Sequence, residues 1–162
     1  MRVVIADTSP INYLILIDAI EILPRLYGRV IVPLEVFAEL TDPDAPAEVA
    51  RWLHDGAEWL EVERAPQEED DSLEELDAGE RAAIILALHQ PNVLLLMDDA
   101  PGRAAATARG IDTVGTLGVL RAAAMKELVN LPLALARLLT TNFRAPKSVV
   151  EALISEDAQR LL

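Results

Sequence analysis

Five acidic residues, Asp7, Glu39, Glu80, Asp98 and Asp99, are placed where carboxylate chemistry is possible. Asp7 closes the apolar run 2–6, and the doublet Asp98-Asp99 closes the run 93–97. Both runs are short and almost wholly apolar, the pattern of a parallel strand buried on both faces. In an open α/β sheet, ligands lie in the crevice beyond the carboxyl ends of the strands. Carboxylates at two such ends point to a metal or polar-substrate site. Glu39 falls in the last turn of a predicted helix over 34–41, and Glu80 at the start of another over 78–89. A set of carboxylates makes a hard, all-oxygen site, which suits Mg²⁺ or Mn²⁺ better than Zn²⁺. The sequence has no cysteine and only two histidines, His54 and His89, at no mutual ligand spacing.

Each acid also has an ordinary structural use. Asp7 precedes Thr8, Ser9 and Pro10, so it could cap a helix, although Thr8 or Ser9 could do so instead. Glu39 faces the negative end of its helix dipole and follows Glu35 by four residues. Those costs reach only about 1 kcal/mol, which a solvated side chain tolerates. Asp77 with Glu80 three residues on has the spacing of a capping box, a role compatible with ligation. Asp99 is the natural cap for a helix starting near Ala100. Adjacent carboxylates at a buried strand end repel unless a cation or a proton intervenes, which favours a metal role for at least one. His54 and His89 read as surface or helix-end residues. The chain has no G-x-S-x-G elbow and no phosphate loop with its lysine. Thr116, in Gly115-Thr116-Leu117-Gly118, reads as a helix cap.

The elements that would position these residues alternate. Strands are expected at about 2–6, 29–32, 58–62, 93–97 and 111–114. Helices are expected from Pro10 to about 18, then at 19–27, 34–41, 46–55, 78–89, 100–109, 116–128, 131–141 and 147–161. In the helix over 78–89 the apolar stripe runs through Ala82, Ile85, Leu86 and Leu88-His89. Residues 63–76 are acidic and aperiodic and read as an exposed loop. Strands alternating with helices imply βαβ units and a parallel sheet. At 162 residues the chain is expected to form one domain, with 131–162 as a C-terminal helical extension.

Composition sets the outer limits. No apolar stretch approaches the roughly 18 residues that span a bilayer. Asp7 interrupts any signal-peptide pattern, and the lack of cysteine fits a reducing cytoplasm. The net charge is −13, which on average opposes nucleic-acid binding. The charge is unevenly spread: residues 1–80 hold 20 acidic and five basic residues, and 81–162 hold seven and nine. Arg81, Arg103, Arg109, Arg121, Lys126, Arg137, Arg144 and Lys147 form either a local basic face or solvated helix surfaces.

Five stretches, in order, resemble the PIN domain family, and within it the VapC-like branch of small toxins. They are 5–10 (Ile-Ala-Asp-Thr-Ser-Pro), 32–40, 77–84 (Asp-Ala-Gly-Glu-Arg-Ala-Ala-Ile), 95–103 and 114–120 (Val-Gly-Thr-Leu-Gly-Val-Leu). The resemblance implies an α/β fold with a central parallel sheet of order 3-2-1-4-5 and helices on both faces, which sets Asp7 beside Asp98. It implies an Mg²⁺- or Mn²⁺-dependent ribonuclease with Asp7, Glu39, Glu80 and Asp98 at the motif positions. Asp99 would be a fourth or outer ligand, and Ser9 and Thr116 supporting hydroxyls. It also implies an RNA substrate, a VapB-like antitoxin and a homodimer. Two other readings stand beside it. One is a PIN-fold interaction module of weak or no activity, recruiting a basic partner through its acidic half. The other is a different Mg²⁺-dependent phosphotransfer protein, such as a phosphatase, although Asp7-Thr8-Ser9 lacks the D-x-D of one common class.

Overall fold

Alternate residues of the central strands face opposite layers, and this builds the fold. In the computed structural model, which describes residues 2–162, Val4 and Ala6 of β1 (Val3–Ala6) point into one apolar layer. Ile5 points into the other. β4 (Val93–Leu96) does the same: Leu94 and Leu96 join the first layer, and Leu95 joins the second. A strand covered on both faces must be apolar throughout, hence the continuous hydrophobic runs.

Five strands form one parallel sheet in the order β3-β2-β1-β4-β5. Its other strands are β2 (Val30–Pro33), β3 (Leu60–Glu63) and β5 (Asp112–Val114). The expected sheet and its order are therefore present. Ala6 lies opposite Leu96, and Leu96 opposite Val114, so β1, β4 and β5 end level with one another.

The first layer is built by α1 (Thr8–Leu16), α2 (Ile22–Tyr27), α3 (Leu34–Leu40), α4 (Ala47–Asp55) and α7 (Thr116–Met125). α8 (Leu131–Leu139) and α9 (Lys147–Arg160) extend it, adding Leu131, Leu135, Leu138 and Val150 to the same core. α5 (Ala78–Leu88) and α6 (Ala100–Ala108) cover the opposite face.

Several expectations need correction. The first helix begins at Thr8, so Pro10 lies third rather than first, still within the opening turn that tolerates it. α5 has no narrow stripe, because Ala82 through Ala87 are all buried. These residues share one apolar cluster with Ile5 and Leu95 of the sheet and with Ala65, Leu73 and Leu76 of the 63–76 segment. Leu88 and His89, expected on that stripe, are exposed at its end. The 63–76 segment is mostly exposed but is pinned by single residues. Ala65, Leu73 and Leu76 are buried in the second layer, Asp71–Leu73 forms a 3-10 turn, and Arg109 pairs with Asp70. Isolated anchors carry no period, so the sequence pattern could not show them.

Candidate metal centre

β1 and β4 are neighbours where the strand order reverses, the position at which open α/β sheets bind ligands. The chain leaves each strand through an acid. The Asp7 amide donates to the Leu96 carbonyl at 2.9 Å, fixing Asp7 level with the end of β4.

Asp7 occupies the N-cap position of α1, yet its side chain makes no capping hydrogen bond. It is only 5% exposed. Burial pushes its pKa up to about 7, and the charges of Asp77, Glu80 and Glu39 push in the same direction, against the Thr8 amide. A capping carboxylate would sit on the helix amides. This one has only the Thr8 amide acting in its favour.

Glu39 reaches the site from the last turn of α3. Its Oε2 accepts the Thr8 hydroxyl at 2.7 Å. Burial and the Asp77 charge raise its pKa, while Thr8 and the Gly79 amide act in the opposite sense. A Cβ on Gly79 would stand 2.3 Å from Glu39 Oε1. Glycine there leaves the Glu39 carboxylate its place against the start of α5.

Glu80 completes the capping box. Its amide donates to Asp77 Oδ1 at 2.8 Å, and its Oε2 accepts from the Asp77 amide at 3.1 Å. Burial raises its pKa to about 7, helped by the charges of Asp77 and Asp99. The cap engages one oxygen and leaves Oε1 without a capping partner.

The Asp98-Asp99 doublet divides its work. Asp98 accepts the Thr116 amide and the Thr116 hydroxyl, each at 2.7 Å, and so ties the end of β4 to the first turn of α7. Asp99 is the N-cap of α6, its Oδ2 taking the Gly102 amide at 2.8 Å. Thr116 is fully buried. It opens α7 directly after the N-cap residue Gly115, so it supports Asp98 rather than capping the helix by its side chain.

Ser9 makes no side-chain hydrogen bond to these acids among the described residues; the neighbouring Thr8 does. Sequence reasoning also passed over Gly79 and Gly115 as structural requirements. Thr8 could have been suspected as the hydroxyl directly after Asp7, and Gly79 from its place between Asp77 and Glu80. His54 and His89 are exposed, as expected, and His89 pairs with Glu68.

Among the described residues, no three carboxylates or histidines stand close enough to hold an ion as they are. The hydrogen bonds account for this. Glu39, Glu80, Asp98 and Asp99 are each drawn to a local donor, and like charges spread apart. The donor set nonetheless fits a hard divalent cation: all oxygen, one member buried without a capping donor, and no basic side chain among the causes acting on Asp7, Glu39 or Glu80.

No curated protein matches the sequence, and no solved structure does. A family model described as a PIN domain matches residues 3–159, nearly the whole chain. Proteins of that family are generally metal-dependent nucleases that use Mg²⁺ or Mn²⁺ and bind RNA. With this match and the 3-2-1-4-5 parallel sheet, the chain belongs to the PIN domain family.

Proposed function

We propose that this chain is a metal-dependent endoribonuclease of the VapC-like type, the toxin of a toxin–antitoxin pair. The observation that carries the reading is Asp7: a carboxyl 5% exposed at the switch point of the sheet, without a side-chain capping bond and under the charges of Asp77, Glu80 and Glu39. A buried carboxyl with so little support for its charged form is costly, and such perturbed groups cluster at functional sites.

Asp7, Glu39, Glu80 and Asp98 would hold Mg²⁺ or Mn²⁺, with Asp99 as an outer ligand or as a cap alone. The bound cation would polarise the scissile phosphate and lower the pKa of a water. The other residues set up the site. Thr8 aims Glu39, Thr116 holds Asp98, and the Asp77 cap fixes the backbone that presents Glu80. Ser9 lies one residue beyond Thr8 in the same helical turn and would support from there. The first turns of α1, α5, α6 and α7 carry Thr8, Glu80, the Asp99-capped amides and Thr116, so four positive helix ends flank the place where an RNA phosphate would lie. We take residues 131–162 as the C-terminal extension of a single domain, working in the cytoplasm as a homodimer with a VapB-like antitoxin.

The acidic first half, notably Glu68, Glu69, Asp70 and Asp71, would offer a basic partner an anionic face. That surface, together with the lack of a ready-made ion site, is what favours the second reading, an interaction module of weak or no activity.

The test is Mn²⁺-dependent cleavage of a mixed RNA pool. Wild type should cut. Asp7→Asn and Glu80→Gln should fall by about two orders of magnitude, the scale of a lost electrostatic contribution to the transition state. Equal activity in all three sinks the assignment. A wild type that does not cut, yet binds a basic peptide, favours the interaction module.

A further inference from the structure

We infer that Arg103 is the residue that grips the RNA phosphate beside this acidic centre; the inference rests on the ribonuclease reading above and adds how so acidic a chain takes hold of its substrate.

No basic side chain acts on Asp7, Glu39 or Glu80. The basic residues of the second half are mostly occupied elsewhere. Arg109 pairs with Asp70, Arg121 with Glu156, and Lys147 with Glu151, while Arg81 donates to the Glu74 carbonyl. Lys126, Arg137, Arg144 and Arg103 join no ion pair among the described residues, and of these Arg103 stands beside a strand-end acid. It lies in the first half of α6, just after the Asp99 cap, and its Nη1 shares the space over Gly115 with Asp98. A Cβ on Gly115 would stand 3.2 Å from Arg103 Nη1 and 2.9 Å from Asp98 Oδ1. Gly115 is thus a gap through which the guanidinium reaches the rim of the site.

Arg103 nevertheless takes part in none of the ion pairs formed among the described residues. Its protein partner is neutral: Nε faces the Thr113 hydroxyl at a long 3.4 Å. Asp98 is held instead by the amide and the hydroxyl of Thr116. The guanidinium is exposed, loosely aimed by Thr113, and keeps the Nη fork free. A free planar fork beside an acid held by other donors is the arrangement that receives a phosphate in bidentate fashion. A guanidinium meant only to neutralise Asp98 would be bonded to it.

The experiment compares wild type, Arg103→Ala and Arg103→Lys, each checked by thermal melting. Binding of a labelled single-stranded RNA is followed by anisotropy in Ca²⁺ buffer over a salt series, and Mn²⁺-dependent cleavage is measured separately. Arg103→Ala should weaken binding about tenfold, the value of one charge-assisted contact. It should also flatten the slope of log affinity against log salt by about one, as loss of one phosphate contact requires. KM should rise more than kcat falls. Arg103→Lys should restore the salt slope but only part of the affinity, since a point charge replaces a fork. Unchanged affinity and slope in Arg103→Ala, with wild type cutting RNA, overturn the inference and leave the ribonuclease reading standing. A wild type that neither binds nor cuts RNA overturns both.

Discussion

At the scale of single residues, position in the sequence and use in the structure part company within a few ångströms. Asp7 and Asp99 both occupy N-cap positions, but only Asp99 caps. The difference is geometric. Asp99 extends over its own helix and takes the Gly102 amide, whereas the Asp7 side chain is buried at the sheet switch point. Glycine matters for the same reason. Gly79 has ordinary helical geometry, so its value is the absence of a Cβ that would press on Glu39 Oε1 at 2.3 Å and on Val36 Cγ2 at 3.3 Å. Gly79→Ala should therefore displace the Glu39 carboxylate while leaving α5 intact, since alanine is the better helix former by up to about 1 kcal/mol. Cleavage should fall on the order of tenfold to a hundredfold, as misplacement by about 1 Å can cost. The metal-free melting temperature should move little. Wild-type cleavage rates in this variant would show that the carboxylate of Glu39 need not be held where it is.

At the scale of elements, α5 joins stability to the site through one cap. Asp77 satisfies the Glu80 amide, and its charge also raises the pKa of Asp7, Glu39 and Glu80. Asp77→Ala should cost about 1 kcal/mol of stability, or roughly 2–4 °C in Tm for a chain of this size. The loss should be greatest near pH 5, where the neighbouring acids hold protons. It should shrink near pH 8, where removing a repelling charge offsets the lost cap. A loss that is the same at both pH values would mean Asp77 acts only as a cap. The strands before Asp7 and Asp98 were legible from their continuous apolar runs and the Asp77-Glu80 cap from its spacing, while the adjacency of the two strands came from the family resemblance. The sequence could not show that every residue of α5 from Ala82 to Ala87 is buried, because an alanine-rich helix gives a weak periodic signal. Nor could it show that Leu73 and Leu76 anchor the acidic segment, or that Thr8 rather than Ser9 bonds to Glu39. Such details depend on which neighbour arrives in space, and local pattern does not encode that.

At the scale of the whole molecule, the charge that looks adverse for a nuclease sets a measurable pH dependence. Asp7 rises from 3.8 to about 7 on folding, and Glu80 from 4.5 to about 7. A carboxyl that holds its proton more tightly when folded favours the folded state at low pH, and that advantage is lost as pH rises. The metal-free protein should thus be at its most stable near pH 4 and lose stability steadily up to about pH 7. Asp70 runs the other way: its pKa is lowered by the Ser72 hydroxyl and then by Arg109, so its contribution is lost only as pH falls below 3.8. General self-repulsion at −13 also grows with pH, but it is screened by salt and does not depend on any single residue. Two comparisons separate these sources. Asp7→Asn should flatten the melting temperature between pH 5 and 7, where general repulsion alone would leave the slope intact. Mg²⁺ or Mn²⁺ should raise the wild-type melting temperature more at pH 8 than at pH 5, at ionic strength matched with K⁺, because a cation stabilises only the ionised acids. A slope unchanged by Asp7→Asn, or a divalent effect equal to that of K⁺, would trace the pH dependence to the acidic surface rather than to the strand-end carboxylates.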